Sequence, residues 1–393
     1  MKSNYRYIVK AFMAMAVIAG TTSCDDFLDR EPMSSISPET YYSTAAQLEA
    51  NLNDEYPNVL PSFGQWTYGI FGEDKGTDNQ IEVNANDRYT QDRWKVPHSE
   101  SDNWKFERIY RINFFLSEAL PKFGEDMSGS QNTISGSVAT IKHYIGEMYF
   151  LRAYEYFKKL QLFGDFPIIN QPLADEMEAL REASKRFPRN EVARFIISDL
   201  DKAYAYMSDV DMATTRINKD VAMLVKSRVA LFEATWLQNF KGTAFVPGGE
   251  GWPGASLHNN YQYPSGNIDN EVKYFLEQAV EASKLVADKY KGSLTENTGV
   301  LQQSADDPSN PYFDMFAQED LSDVKEVLLW RQYARGLSTH NINAAAGRGN
   351  YRIGLTRGFV QNFLMKDGTP VYAHGSYADG DGYYMGDKTV ADV

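Results

Sequence analysis

Apolar residues recur at helical spacing along most of the chain. In six segments they lie three or four positions apart, which places them on one face of an α-helix. The segments begin near Thr44, Asp102, Ser137, Asn190, Asn218 and Asn270. Ser, Thr, Asn and Asp favour helix N-termini because their side-chain oxygens accept backbone N–H groups. The pattern therefore predicts six amphipathic helices.

Turn residues mark where the first three of these helices end. Pro57, Pro121 and Gly164 follow the last apolar positions, and neither residue type continues an α-helix readily. Consecutive amphipathic helices joined by modest loops predict hairpins packed side by side, as in tetratricopeptide-type arrays. A strict period of about 34 residues is not present in the sequence. We therefore expect a mainly α fold of tetratricopeptide-like stacked helical hairpins, with long irregular loops and minor β structure.

Several stretches interrupt the helical pattern. Residues 61–101 combine repeated Gly, Asp and Asn with several aromatic residues, and a long irregular segment of this kind is usually functional. Residues 241–266 and 297–320 are expected to be inserts between helical blocks. The apolar run 327–333 predicts a short buried strand, and residues 359–365 predict a short helix.

The N-terminus has the pattern of a secretory signal. Lys2, Arg6 and Lys10 precede a ten-residue apolar run at 11–20, which is far shorter than the ~20 residues of a membrane-spanning helix. Small residues then lead to Cys24, the only cysteine of the chain. This order is typical of a bacterial lipoprotein signal, in which Cys24 is acylated and becomes the mature N-terminus. The alternative is a chance cysteine beside an ordinary cleavage site.

Composition narrows the classes of ligand. The chain of 393 residues carries a formal net charge of -14, and such a field disfavours nucleic acid and anionic lipid headgroups as partners. Neutral ligands, cations or a protein partner remain. Aromatic residues make up 13% of the chain, and Tyr and Trp combine a flat apolar face with a polar group that suits a binding surface.

The candidate ligand-binding residues have the chemistry that sugars require. Sugar rings stack their C–H faces on aromatic rings, and their hydroxyls need planar donors and acceptors. The segment 61–101 supplies both in Asp74, Asp78, Asn79, Arg88 and Trp94. Second-tier candidates in Gly-rich loops are Trp66 and Trp252, whereas we assign Trp104, Trp236 and Trp330 to the core.

Motifs for chemistry are missing from the sequence. It contains no His-Glu-x-x-His, no Gly-x-Ser-x-Gly and no phosphate-binding loop, so we expect no metal, no cofactor and no catalytic residue. Paired carboxylates for glycoside hydrolysis need only lie ~5 to 9.5 Å apart in space, and sequence spacing cannot reveal them. A surface glycoside hydrolase therefore stays open as an alternative.

Six blocks in the same order resemble the SusD/RagB-type lipoproteins. Residues 150–157 (FLRAYEYF) with 162–167 (LFGDFP) are similar to the "FLRAYYYF...LYGDVP" signature of that family. The other five blocks are 24–29 (CDDFLD), 104–113, 188–191 (PRNE), 216–234 and 365–368 (MKDG). The similarity covers nearly all of the chain after the signal. Family members usually continue well beyond the Met-Lys-Asp-Gly turn, so we expect this chain to be C-terminally incomplete.

The resemblance implies a SusD-like α/α superhelix and a function. It divides the chain into a lipoprotein signal at 1–23, a tether at 24–36, an N-terminal helical region at 37–240 and a second region at 241–393. The loop before the helix near Trp104 contributes to the ligand surface in this family, which favours 61–101 as the ligand loop.

The function that the resemblance implies is nutrient capture without catalysis. Such proteins are lipid-anchored at the surface of the outer membrane, bind a glycan or sometimes a peptide, and sit on a SusC-like TonB-dependent transporter. A purely structural lid on that transporter is a further alternative.

Overall fold

Helices account for most of the chain that the structure describes. The computed structural model describes residues 41–62, 74–81, 103–208, 212–300, 304, 306–334, 339–340, 354–365 and 367–370. In chain order the helices are α1 (Ala45–Val59), α2 (Glu107–Phe123), α3 (Val138–Phe163), α4 (Met177–Ala183), α5 (Arg189–Tyr206), α6 (Lys219–Asn239), α7 (Ile268–Tyr290), α8 (Pro311–Ala317) and α9 (Arg357–Gln361). A two-stranded antiparallel ribbon pairs β1 (Gln80–Ile81) with β2 (Gly354–Leu355). The prediction of a mainly α fold is confirmed.

Several predicted helix starts are confirmed by their caps. The Thr44 side chain accepts the N–H of Gln47, and the Gln47 side chain accepts the Thr44 N–H, which completes a capping box at α1. The Ser137 side chain caps α3 by accepting the Thr140 N–H, and the Asn218 side chain caps α6 by accepting the Val221 N–H. At α7 the cap is Asn267, one turn before the predicted Asn270, and its side chain accepts the Asn270 N–H.

Two other helices begin without the predicted capping residue. α2 begins at Glu107, with Phe106 at the cap position and no side-chain cap, and Asp102 lies outside the described residues. α5 begins at Arg189 after Pro188, whose fixed φ suits the entry to a helix. Asn190 is not the cap, because its side chain is buried inside the protein and donates to Glu271 of α7.

The two prolines that were expected to end helices lie inside their last turns. α1 continues past Pro57 to Val59, and α2 continues past Pro121 to Phe123. A proline near the end of a helix removes a single backbone hydrogen bond. Val59 and Phe123 are fully buried, so side-chain packing holds each final turn in place. Gly164 does end α3, with a φ of 67° that a glycine adopts without strain.

The helices stack in an order that follows the chain. α3 packs against α1, α2 and α5, and the stack continues from α5 to α6 and from α6 to α7. α3 is buried on nearly all of its faces, as expected for a helix with neighbours on several sides. Gly146 permits the contact with α5, since a Cβ there would lie 2.9 Å from the Cγ of Met207.

Ion pairs between arginine and carboxylate join helices inside this stack. Arg152 of α3 makes two hydrogen bonds to Asp199 of α5, at 2.7 and 2.8 Å. Arg189 of α5 pairs with Glu233 of α6, and Arg194 of α5 pairs with Glu271 of α7. All three acids are fully buried. The α3–α5 and α5–α6 interfaces therefore each contain a buried arginine–carboxylate pair, here called a charged joint, as well as apolar packing. A third charged joint connects α5 to α7.

The irregular stretches differ from the sequence predictions in four places. The run 327–333 is not a strand: the Trp330 N–H donates to the Thr214 carbonyl at 3.1 Å in an extended loop. α8 lies inside the predicted insert 297–320, and α4 was not predicted. The short helix expected at 359–365 is α9, which begins two residues earlier and ends at Gln361. The predicted division of the chain at 36/37 and 240/241 stays a prediction.

In the described part of the chain, every helix is too short or too polar to cross a membrane.

Candidate functional site

Three of the sequence candidates share one turn. Asp74, Asp78 and Asn79 belong to residues 74–81, where the Thr77 N–H and hydroxyl both donate to the Asp74 carbonyl. The Thr356 N–H donates to the Asn79 carbonyl at 2.9 Å and fixes the turn beside β2. The two aspartates are exposed and Asn79 is half-buried. Their assignment to a ligand site stays a prediction, and Trp66, Arg88 and Trp94 lie outside the described residues.

The structure places Trp252 away from this turn, in the wall of a cavity. Its indole N–H donates to Asp165 at 2.7 Å, and its ring stacks on His258 with 5.9 Å between centroids. Gly254 lies against the ring so closely that a Cβ there would fall 2.2 Å from it. Trp252 is only 4% exposed, so its visible role is to hold the insert against residue 165. Its assignment as a ligand contact stays a prediction.

A cleft that the sequence did not reveal lies between α1, α3 and the extended loop at 328–332. We call it the Trp330 cleft; its volume is about 590 Å³, and pockets of 300 to 1,000 Å³ are usual for small ligands. Its aromatic and polar walls are formed by Asn53, Tyr56, Phe150, Tyr154, Thr215, Trp330, Arg331 and Gln332. Pro61, at the start of the predicted ligand loop, also lines it.

Local hydrogen bonds position the aromatic wall of the Trp330 cleft. The Trp330 indole N–H donates to the Thr214 hydroxyl at 2.8 Å, and the Asn218 side chain donates to the Leu328 carbonyl at 2.8 Å. Trp330 was predicted to be buried in a strand; it is half-buried in a loop whose Leu328 and Leu329 pack on the core. Tyr154, also half-buried, stacks on Phe150 with an interplanar angle of 16°.

The base of the cleft is held by a buried polar network. The Tyr56 hydroxyl donates to Glu147 at 2.7 Å and accepts the Ile217 N–H at 2.9 Å. Arg216 makes two hydrogen bonds to the same Glu147 carboxylate. Burial raises the pKa of Tyr56 well above its ordinary value, and the neighbouring Glu147 carboxylate raises it further. Tyr56 therefore remains a protonated donor, and its ring is fixed at the cleft wall.

The side chains of the Trp330 cleft suit recognition of a hydroxyl-rich ligand. Hydroxyl, amide and guanidinium groups offer directional donors and acceptors, and the Trp and Tyr rings offer flat apolar faces. The described residues that line this cleft include no carboxylate. In the described parts of the chain, no group of three or more His, Cys, Asp or Glu side chains is placed to hold a metal ion.

The other two tryptophans assigned to structure are half-buried. Trp104 packs edge-on against Phe163 and Phe166, each at 4.9 Å between ring centroids. Trp236 packs on Phe240 and also lines the cavity that contains Trp252. The sequence clue to Trp330 was its polar neighbours, since Arg331 and Gln332 are unusual inside a fully buried run.

The signature residues of the sequence resemblance are the buried joints of the stack. Arg152 lies in the 150–157 block, Arg189 in the 188–191 block, and Glu233 in the 216–234 block. The resemblance therefore rests on residues that hold the helices together.

Comparison with known proteins agrees with this architecture. A SusD-like family model, described as "Starch-binding associating with outer membrane", matches residues 26–231. SusD-like protein P2 of Formosa agariphila is 25% identical over 253 residues, which cover 61% of this chain and 46% of that protein. SusD-like protein P25 of the same organism is 25% identical over 233 residues, covering 54% and 41%. The chain thus spans a little under half the length of these curated relatives.

A solved structure has the same fold. The SusD-like carbohydrate binding protein from Bacteroides fragilis NCTC 9343 superposes with a TM-score of 0.54 at 14% identity, over 86% of this chain and 57% of that chain. The likeness in fold and the family match over more than half of the sequence lead to one conclusion: this chain belongs to the SusD-like family.

Proposed function

We propose that the protein is a cell-surface lipoprotein that captures a nutrient glycan or oligosaccharide and delivers it to a SusC-like TonB-dependent transporter. The observation that carries the proposal is the Trp330 cleft, where aromatic faces meet neutral and cationic hydrogen-bonding groups. The description of the family as starch-binding and associated with the outer membrane supports the same class of ligand and location.

The ligand site combines the Trp330 cleft with the segment 61–101. Pro61 lines the cleft, and it is the first residue of the segment in which the sequence has Trp66, Arg88 and Trp94. Asp74, Asp78 and Asn79 supply acceptors and an amide on the same segment. A glycan longer than one ring would use both sets of groups, held by stacking and hydrogen bonds without any bond being broken.

Binding measurements on two tyrosine variants test the site. A panel of starch-derived, β-glucan, mannan and xylan oligosaccharides is titrated calorimetrically into the full chain. For the glycan that binds, we expect Tyr154→Ala to lower affinity about tenfold, because a stacking face is lost. Tyr312→Ala, on α8 away from the cleft, is the matched control and should leave affinity unchanged.

Other outcomes point to the alternatives. Undiminished binding by Tyr154→Ala removes the cleft from the site. Turnover of a polysaccharide by the purified protein, abolished by one Asp or Glu substitution, indicates a glycoside hydrolase. Binding of oligopeptides alone indicates a RagB-like peptide binder, and a blank screen with a co-purifying transporter indicates a structural lid.

The membrane anchor is tested separately from the ligand. Acylation of Cys24 attaches the protein to the membrane by lipid chains, two or more of which give stable anchoring. Mass spectrometry of the mature N-terminus should find an acylated cysteine, and Cys24→Ala should release the protein from the membrane fraction. An unmodified Cys24 thiol in the mature protein contradicts the anchor.

A further inference from the structure

A second cavity lies at the other end of the same helices. It measures about 490 Å³ and is formed by the end of α3, the start of α5, Trp236 near the end of α6, and the insert that follows. We call it the Trp236 cavity. The Trp330 cleft involves Tyr154 of α3, whereas this cavity begins at Gln161, so the two differ by about 10 Å along that helix at ~1.5 Å per residue.

The Trp236 cavity contains a buried cation that is incompletely hydrogen-bonded. Arg189 is 3% exposed; its Nε and Nη2 donate to Glu233, and its guanidinium lies 4.1 Å from the centre of the Trp236 ring. Within the described chain, Nη1 makes no hydrogen bond. It faces Gly164, where a Cβ would lie 3.3 Å away. Nη1 lines the cavity, so it can donate to an oxygen that enters the cavity, from water or from a ligand.

Asp165 adds acceptors on the same wall. One carboxylate oxygen accepts the Arg189 backbone N–H at 2.9 Å, and the other accepts the Trp252 indole N–H at 2.7 Å. Each oxygen has a second lone pair, which can accept a hydroxyl of a bound molecule. Burial raises the pKa of this carboxyl, and the donors from Trp252 and Arg189 oppose that effect.

The charges around the cavity balance. The guanidinium groups of Arg189 and the exposed Arg186 stand against the carboxylates of Glu233 and Asp165. An anionic ligand would bring a third negative charge next to Asp165, and a cationic ligand would bring a third positive charge next to Arg189. A neutral molecule with several hydroxyls fits both the donor at Nη1 and the acceptors at Asp165.

The remaining walls suit the apolar face of a ring. Phe245 is 61% exposed at the cavity mouth, and its ring is braced edge-on by Phe240 at 5.4 Å. Its carbonyl accepts the Trp236 indole N–H at 3.0 Å, which fixes the two aromatic residues relative to each other. Flat C–H faces of sugars pack on such rings.

We infer that the Trp236 cavity is a second carbohydrate subsite that binds one neutral sugar ring, with Arg189 Nη1 donating to a ring substituent and Asp165 accepting a hydroxyl. This inference rests on the proposed function, because it assigns a further part of the glycan to the same protein. It places that part on elements other than the segment 61–101 and the Trp330 cleft.

Indole NMR signals distinguish the two sites. The full chain labelled with ¹⁵N is titrated with the methyl glycosides of glucose, galactose, mannose and xylose, and with glucuronate as the charged comparison. We expect a neutral glycoside to shift the indole signals of Trp236 and Trp252. Phe245→Ala should weaken this binding about twofold to tenfold, because one stacking face is lost. Phe316→Ala removes a ring that is 73% exposed on α8, and should leave it unchanged.

Every other result of these titrations contradicts one specific claim. If only the Trp330 signal shifts, the second subsite is wrong and the proposed function stands. If no indole signal shifts with any glycoside, both the second subsite and the proposed function are wrong. If glucuronate binds at the Trp236 cavity as tightly as the neutral glycosides, the preference for a neutral ring is wrong. If Phe245→Ala and Phe316→Ala behave alike, the ring at the cavity mouth has no part in binding.

Discussion

Arginine side chains in the stack differ in how completely their donors are used. Arg152 is saturated: Nε and Nη2 bind Asp199, and Nη1 binds the Asn113 side chain at 2.9 Å and the Asn170 carbonyl at 3.1 Å. Arg189 has the same kind of carboxylate pair but leaves Nη1 facing a cavity. Of these two arginines of the family signature, Arg152 has no donor left for a ligand, whereas Arg189 has one.

Loss of Arg152 should be strongly destabilising. Arg152→Met leaves Asp199 as a buried charge without its main partner, and breaking such a pair costs about 3 to 5 kcal/mol of the free energy of unfolding. Urea unfolding followed by far-UV circular dichroism measures the loss. The control Lys284→Met removes an exposed pair with Asp288 on α7, which should cost below about 0.5 kcal/mol. Equal losses in the two variants would contradict a structural role for Arg152.

Glu271 shows how one acid can be held charged inside the stack. Burial alone would raise its pKa, but hydrogen bonds from Arg194, Asn190 and Ser265 outweigh burial and lower the pKa below its ordinary value. The carboxylate therefore contributes stability above its ordinary pKa, and that contribution is lost as the pH falls through the lowered value.

At the scale of elements, α3 depends on one position without a side chain. At Gly146 a Cβ would lie 2.9 Å from both the Cγ and the backbone nitrogen of Met207, and 3.2 Å from the Ala203 carbonyl. These atoms belong to the end of α5 and to the residue that follows it. The two helices can approach this closely only because residue 146 is a glycine.

Gly146→Ala should separate α3 from α5 and destabilise the protein. Overpacking costs about 1 to 3 kcal/mol, and the better helix propensity of Ala returns about 1 kcal/mol. We therefore expect a lower melting temperature by differential scanning calorimetry. The matched control is Gly358→Ala in α9, where a Cβ meets nothing within 4 Å and stability should be unchanged or higher. A stable Gly146→Ala protein would show that α5 can shift at no cost.

The elements that the sequence predicted well are those decided by neighbouring residues. The Thr44 capping box and the stop at Gly164 depend on contacts within one turn, and both are confirmed. Asn190 has the residue type of a cap, but a partner 81 positions away in α7 takes its side chain. Trp330 lies in an apolar run, yet how far it is buried depends on its hydrogen bond to Thr214, in the loop before α6.

The candidate site follows the same rule. Composition and Gly-rich spacing direct attention to 61–101, and the structure does bring Asp74, Asp78 and Asn79 into one turn. The Trp330 cleft contains residues from α1, α3 and a loop near residue 330. No sequence motif indicates that these distant segments lie next to each other in the fold. Trp252 was selected for its Gly-rich surroundings, but one of those glycines, Gly254, packs against its ring.

On the scale of the whole molecule, α3, α5, α6 and α7 form a stack in which most contacts join neighbouring helices. The Arg194–Glu271 pair, which joins α5 to α7, is an exception. Stacks of this kind usually behave as a sum of units and nearest-neighbour interfaces, so their parts can unfold separately. Here the acid of each charged joint is fully buried, and opening one interface leaves one unpaired charge on each of its two faces. The charged joints therefore couple the unfolding of neighbouring helices, which with apolar packing alone could unfold separately.

The consequence of these joints is cooperativity. We expect urea unfolding to show one transition, with the same midpoint by far-UV circular dichroism and by tryptophan fluorescence, as for a two-state protein. Arg194→Met, which breaks the joint between α5 and α7, should split the two midpoints by loosening the end of the stack first. Separate midpoints already in the unmodified chain would show that the joints stabilise each interface without linking one interface to the next.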